Sequence, residues 1–403
     1  MLLVGISSLV IAMGVTWITT PLVIRLSRTL GAMDLPGGRK AHDTPMPRIG
    51  GVSVFLGFIA GMTFAAYATG NLFVVPQGVY WRGLAIAATL MFLVGLLDDL
   101  KGLSYRWKFA AQIAAAAYVW SCGFRIELIT HPLGGAVELG ALSLPLTVLW
   151  IVGITNAVNL IDGLDGLAGG IALIMTVTVA VIAFAGGKLG VTAASVALAG
   201  SLIGFLYFNF NPARIFLGDS GSMFLGFVLA VTTVRGSQKG TTVVALLVPL
   251  LILGLPVLDT TMAILRRLYR ISNGNTSNGS SVRYVVQNIN QVFLPDRGHI
   301  HHRLLDLGMS HRGAVLTLYG VGVLFAGVAF ALVLVQSRWV AALLVAVLTV
   351  ALVSFLLILY LRAVRPRREI SRNPCIEEQD TAVAEPFAAN PSRASPGVTR
   401  TGS

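Results

Sequence analysis

The chain has 403 residues, 55% of them apolar and only 11% charged, with mean hydropathy +0.80, whereas a soluble domain carries roughly 25% charged residues. So few charges cannot cover a water-facing surface of this size, which excludes a soluble enzyme or DNA-binding domain and makes lipid part of the solvent. The net charge of +12 does not point to nucleic acid, because the 29 Lys and Arg sit in short loops between apolar runs.

A hydrocarbon core of about 30 Å asks for about 20 apolar residues per helix. Eleven uncharged stretches of that order follow along the chain, near 2–24, 50–70, 82–97, 108–122, 143–160, 167–186, 190–208, 220–234, 241–264, 313–335 and 339–361. They predict an all-α polytopic membrane protein. The first run has no small-residue cleavage site and carries its positive flank, Arg25 and Arg28, behind it, as expected of a retained helix and not a signal peptide. Residues 123–142, with Pro132, Gly134, Gly135 and alternating Val137 and Leu139, read as a small outside hairpin. The Asn/Ser/Gly-rich stretch 272–290 reads as a mobile inner loop. From 363 the chain is proline-rich and poor in large apolar residues, the composition of a disordered tail. The expected organisation is a membrane catalytic domain over 1–362 and a disordered cytoplasmic tail over 363–403.

Alternate loops differ in positive charge. One set, outside the tail, holds 16 Lys and Arg, among them Lys40, Arg48, Lys101, Lys108, Arg214 and Arg303, and the other holds 6. The positive-inside rule then puts the amino terminus outside and the carboxyl terminus in the cytoplasm. Most acids, including Asp34, Asp98, Asp99, Asp162, Asp165 and Asp219, fall on the same inner side, with Asp259 a turn or two inside. Cys122 and Cys375 form no local pair and have no metal spacing.

Four motifs on that side carry chemistry. Asp98-Asp99 ends the third run, and adjacent carboxylates at a membrane edge repel unless a cation or donor accompanies them. Solvated helix-end acids near Lys101 are the bland alternative. In Asn156-x-x-Asn159-x-x-Asp162-Gly-Leu-Asp165, the i, i+3 spacing aligns amides and acids on one face, a set of hard oxygen donors suited to a cation. Simple helix caps and turns are the alternative. Asn209-x-Asn211-Pro-Ala-Arg214-Ile-Phe216-Leu-Gly218-Asp219-Ser220-Gly221-Ser222 opens the eighth run, where backbone N–H groups favour anions and Asp219 can hold a metal. Pro295-Asp296-Arg297-Gly298-His299-Ile300-His301-His302-Arg303 is a cationic, donor-rich loop suited to a diphosphate. Zinc is its rival, disfavoured because no cysteine is near and His42 and His131 lie on distant loops. The stretch Lys40 to Gly51 is either a phosphate contact or a plain positive-inside loop.

Acids and bases gathered at one membrane face describe phosphoryl transfer between anionic partners, with a divalent cation to bridge like charges. A secondary transporter or ion channel is the competing class, but its ionisable residues belong near the midplane. Here the third, fifth and eighth runs have apolar interiors and keep their acids at the inner ends.

The four motifs, in this order, resemble the polyprenyl-phosphate N-acetylhexosamine-1-phosphate transferase family, the WecA, TagO and MraY group, from the first helix to about residue 362. The Asp-Arg-x-His-x-His-His form is similar to the WecA/TagO branch. The resemblance implies transfer of a sugar-1-phosphate, GlcNAc by default, from a UDP-N-acetylhexosamine to undecaprenyl phosphate with release of UMP. It implies Mg²⁺, or Mn²⁺ in its place, an active site on the cytoplasmic face of the inner membrane, no nucleic-acid partner, and a homodimer as one allowed assembly. By the same resemblance Asp98 and Asp99 lie near the acceptor phosphate, and Asp219 with Asn159 at the metal. Asp162 and Asp165 shape the nucleotide pocket, His299, His301, His302 and Arg303 face the sugar diphosphate, and Lys40, Asn156, Asn211 and Phe216 contact substrate.

Overall fold

A computed structural model describes residues 2–35, 44–70, 78–130, 136–236, 244–273 and 299–334, with positions 340, 343, 346, 347 and 354 beyond them. In chain order the elements are α1 (Leu2–Leu30), β1 (Met33–Asp34), β2 (Met46–Pro47), α2 (Gly51–Thr69), α3 (Gly78–Lys101), α4 (Tyr105–Ser121), β3 (Leu128–Thr130), β4 (Ala136–Glu138), α5 (Ser143–Leu160), α6 (Leu167–Ala185), α7 (Leu189–Asn209), α8 (Gly218–Gly236), α9 (Val244–Ile252), α10 (Gly254–Asn273), α11 (Ile300–Asp306) and α12 (His311–Leu334). Seven described helices, α1, α2, α3, α5, α6, α7 and α12, are long and apolar enough to cross a bilayer. The chain is a helical polytopic membrane protein. Most of the eleventh predicted run and of 272–290, together with the tail and Lys40, lies outside the described residues.

The pattern on α1 shows which solvent the fold is built for. Its inner face is small and hydroxylated, with Ser8, Ala12, Thr16, Thr20 and Ser27 buried, while Leu3, Ile6, Val10, Trp17, Ile18 and Leu22 are exposed. That is the reverse of a soluble helix. Small residues let membrane helices approach closely where lipid, not water, surrounds them. The buried hydroxyls are satisfied: Ser8 Oγ donates to the Gly61 carbonyl on α2 (2.9 Å), and Thr20 Oγ1 to the Thr16 carbonyl (2.7 Å). Helix α1 packs on α2 and α7, α3 and α5 pack on α8, and α6 lies against α7 and α12. At the centre α8 is enclosed on all sides, with Met223 through Leu225 and Phe227 through Val231 buried.

The ninth predicted run, 241–264, is two helices. Pro256 explains the break at Leu253, since it offers no N–H to the Ile252 carbonyl four residues earlier. The predicted 123–142 hairpin is present, with β3 antiparallel to β4 and Ile129 opposite Val137. A second pair, β1 with β2, sets Met33 opposite Pro47. The 47–51 segment then docks on the loop before α8: Phe216 N–H donates to the Pro47 carbonyl (2.8 Å), and Gly50 N–H to the Phe216 carbonyl (3.0 Å).

The start of α8 is the tightest point of this arrangement. Gly218 has φ of +73°, and a Cβ on it would lie 1.9 Å from the Arg48 carbonyl oxygen. Gly187, at φ +69°, has nothing within 4 Å of its virtual Cβ. Alanine at Gly187 should therefore show only the left-handed backbone cost, about 1–2 kcal/mol, whereas Gly218→Ala should lower the thermal midpoint in detergent by clearly more. Equal midpoints for the two variants would contradict the packing described for the α8 start.

Candidate active site

The acidic motifs converge because of helix direction. The carboxyl-terminal ends of α1, α3, α5 and α7 and the amino-terminal ends of α2, α6, α8 and α12 surround one cavity of about 890 Å³. Ligand pockets run to about 300–1,000 Å³, so this one can hold a nucleotide sugar. Six aspartates line it, Asp34, Asp98, Asp99, Asp162, Asp165 and Asp219, with Arg48, His302 and His311 as basic lining groups.

Adjacent residues on a helix point about 100° apart, so Asp98 and Asp99 cannot act as one pair. Asp99 turns to α8 and is buried, its Oδ1 accepting the Asp219 N–H and its Oδ2 the Ser220 N–H, both at 2.9 Å. These are first-turn amides with no partner inside the helix, and the helix dipole favours a carboxylate there. The Asp99 carbonyl in turn accepts the Arg48 guanidinium. Asp99 thus caps α8 with both oxygens and also lines the cavity.

Asp98 faces Lys108 of α4. Lys108 Nζ donates to Asp98 Oδ2 (2.8 Å) and to Asp219 Oδ2 (3.1 Å), holding one cation between two carboxylates. Asn159 fixes the other side of Asp219, donating from Nδ2 to Asp219 Oδ1 (2.7 Å) and to Ser222 Oγ (2.8 Å). Asn156, three residues earlier, does not reach the cavity. Its amide donates to Gln112 Oε1 (2.6 Å) and the Val152 carbonyl (2.7 Å), so it ties α5 to the buried Gln112 of α4. The i, i+3 spacing is right, but another helix stands against that part of the face.

Between α5 and α6, Asp165 Oδ2 accepts Asn211 Nδ2 and the Ala213 N–H, each at 3.0 Å. Its own N–H donates to His311 Nε2 (3.2 Å) at the start of α12. Asp165 and Asn211 therefore brace the α7–α8 loop, which presents Phe216 to the cavity. Asp162 receives no hydrogen bond or ion pair among the described residues. Burial, then the charges of Asp219, Asp99 and Asp165, push its carboxyl up to about 8.

The histidine motif enters from α11. His302 lines the cavity with Leu305, whereas Arg303 is not among the lining residues. His301 is buried, and that burial together with the neighbouring His302 lowers it to about 3, so its ring is neutral. His299 is also buried, with Nδ1 2.9 Å from Asp259 Oδ2. Asp296 and Arg297 lie outside the described residues.

Sequence reasoning passed over Lys108, His311, Asp34 and Asp259 as site residues, and offered Arg48 only within the Lys40–Gly51 stretch. Lys108 had no signal of its own, being one of three cations, with Lys101 and Arg106, that follow the acid pair. His311 had little, because it stands nine residues beyond the histidine cluster. No group of three or more His, Cys, Asp or Glu side chains among the described residues forms a ready metal cage. The oxygen donors Asp219, Asp162 and Asn159 do fit a hard cation that keeps several waters and takes one or two protein ligands plus phosphate oxygens.

Comparison with known proteins bears on this geometry. Residues 81–237 match the family described as Glycosyl transferase family 4. The chain is 37% identical over 320 residues to a Bacillus subtilis protein named as an undecaprenyl-phosphate N-acetylglucosaminyl 1-phosphate transferase, covering 78% of this chain and 81% of that one. It is 36% identical over 357 residues to the decaprenyl-phosphate N-acetylglucosaminephosphotransferase of Mycobacterium tuberculosis, covering 82% of each. A phospho-N-acetylmuramoyl-pentapeptide-transferase of Halalkalibacterium halodurans is 28% identical over 342 residues, with 81% of this chain and 96% of that one covered.

The raised Asp162 carboxyl has a measurable consequence. Between the ordinary carboxyl range and about 8 the folded chain holds a proton that the unfolded chain has lost. Its contribution to stability is therefore complete at low pH and is lost as pH rises through that interval. Without divalent cations, thermal stability should fall from pH 5 to pH 8 more steeply for the natural chain than for Asp162→Asn. Parallel pH profiles would show that Asp162 is not held in this environment.

Proposed function

Because the chain belongs to the polyprenyl-phosphate N-acetylhexosamine-1-phosphate transferase family, we propose that it transfers GlcNAc-1-phosphate from UDP-GlcNAc to undecaprenyl phosphate. UMP is released, and the step begins the membrane stage of cell-envelope glycan synthesis. The observation that carries this reading is the Asp98–Lys108–Asp219 bridge at the wall of a nucleotide-sized cavity. The loop charges support eleven spans with this cavity on the cytoplasmic face of the inner membrane.

The lipid substrate has a place to lie. An apolar groove of about 460 Å³ runs between α5 (Leu149, Trp150, Ala157) and the α9–α10 pair (Leu250, Val257, Ile264). Ala157 stands two residues before Asn159, so one helix borders both groove and cavity. A polyprenyl tail in the groove would bring its phosphate to the polar end of α5, beside the acids.

The lipid phosphate is already a nucleophile, so the reaction needs in-line placement and charge neutralisation more than covalent help. One acceptor oxygen bonds to the phosphorus that bears the sugar, and the bond from that phosphorus to the UMP oxygen breaks, with UMP keeping the electron pair. Asp98 takes the remaining acceptor proton, and Lys108 keeps Asp98 and Asp219 together without mutual repulsion. His302 and His311 face the sugar diphosphate, and Phe216, Asp162 and the Asp165–Asn211 brace shape the nucleotide end. Asp219 with Asn159, and Asp162 opposite, would hold Mg²⁺ or Mn²⁺, whose charge offsets that of the diphosphate.

Purified protein given UDP-GlcNAc should release UMP only when undecaprenyl phosphate is present. Asp219→Ala should abolish turnover while the protein stays folded. Asp98→Asn should lose about 10²- to 10⁴-fold at neutral pH, the usual worth of a general base, and recover part of it as pH rises and the acceptor ionises. UMP release without acceptor would replace direct displacement by a phosphosugar-enzyme, and no UMP under any condition would refute the transferase reading.

A further inference from the structure

We propose that Asp259 is a positioning residue that holds the histidine segment over the cavity, so that donor binding depends on a carboxylate touching neither substrate. The inference rests on the transferase reading for its kinetic meaning. Asp259 lies in α10 and is only 2% exposed. A carboxylate buried that deeply is tolerated only when its oxygens are paired or hydrogen-bonded. Its Oδ2 meets His299 Nδ1 at 2.9 Å, and its Oδ1 accepts the Ile300 N–H at 2.8 Å. One side chain thereby fixes both the ring before α11 and the first amide of that helix.

Its reach extends through packed rings. The His301 ring lies parallel to His299, with centroids 5.6 Å apart and 7° between planes, and His302 tilts against His301 at 4.3 Å. His301 sits where Gly163 leaves room, since a Cβ at Gly163 would fall 2.5 Å from His301 Nε2. The stack therefore rests on the turn that carries Asp162 and ends at His302 in the cavity wall. Asp259 itself lines neither the cavity nor the groove, although its neighbours Thr260 and Thr261 line the groove. Helix α10 thus borders the acceptor groove and also anchors the donor-side segment. The acceptor-side groups Asp98 and Lys108 hang on α3 and α4, so loosening the Asp259 clasp should leave them in place.

Asp259→Ala, Asp259→Asn, His299→Ala and the Asp259/His299 double alanine variant, made in the full chain, test the clasp. In Asp259→Ala the KM for UDP-GlcNAc should rise about tenfold or more while that for undecaprenyl phosphate stays within about twofold, a split that general loss of structure does not give. Asp259→Asn, whose amide can still accept the Ile300 N–H, should recover most of the loss. The double variant should be little worse than either single one, as expected for partners in one interaction. Hydrogen exchange at 300–306 should speed up in Asp259→Ala and not in α1, whether or not UDP-GlcNAc proves to be the donor. Unchanged exchange there overturns the clasp. A parallel rise of both KM values, or additive single effects, overturns its donor-side role. Absence of turnover by the unmutated protein overturns the transferase reading instead, and the exchange result still decides the clasp.

Discussion

Everything at the cavity depends on one carboxylate meeting two backbone amides. Asp99 accepts the Asp219 and Ser220 N–H groups at 2.9 Å, where α8 has unpaired donors and the positive end of its dipole. This contact joins α3 to the central helix and turns the Asp219 side chain outward, toward Asn159 and Lys108. It also explains why two adjacent aspartates have different tasks. Asp99 builds the wall, and Asp98 is left at the surface that a substrate would meet.

The second constraint is charge. Six aspartates around one cavity repel each other, and repulsion grows as water is excluded. The fold relieves part of this with its own donors: Lys108 serves Asp98 and Asp219, and Asn211 with the Ala213 amide serves Asp165. Asp162 is relieved by none of them among the described residues, and burial, then the neighbouring carboxylates, push its carboxyl up to about 8. A site in that condition accepts a cation readily and a bare diphosphate poorly. The proposed divalent ion resolves both, which is why the metal and the donor are expected to bind together.

Much of the architecture was legible because a bilayer permits few solutions. Apolar runs near 20 residues located α1 to α8 and α12 to within a few residues, whereas the ninth run missed both the break before Pro256 and the continuation of α10 to Asn273. Motif order pointed to the right loops. Distances across the fold were not legible: nothing in the spacing of Asn156 shows that Gln112 of α4 will take its amide. Nor does any local pattern mark Lys108, which earns its place through Asp219, 111 residues away, or His311, whose partner Asp165 is 146 residues earlier. Local sequence reports helices and caps well. Convergence of helix ends is a tertiary property.

The most direct test of the central claim, that Asp219 and its neighbours form a cation site completed by the donor phosphates, is Mn²⁺ binding followed by electron paramagnetic resonance. Binding to the protein alone should be weak, should tighten clearly when a UDP-sugar is added, and should lose that tightening in Asp219→Ala. Mn²⁺ that binds Asp219→Ala and the unmutated chain equally well in the presence of the UDP-sugar would contradict it.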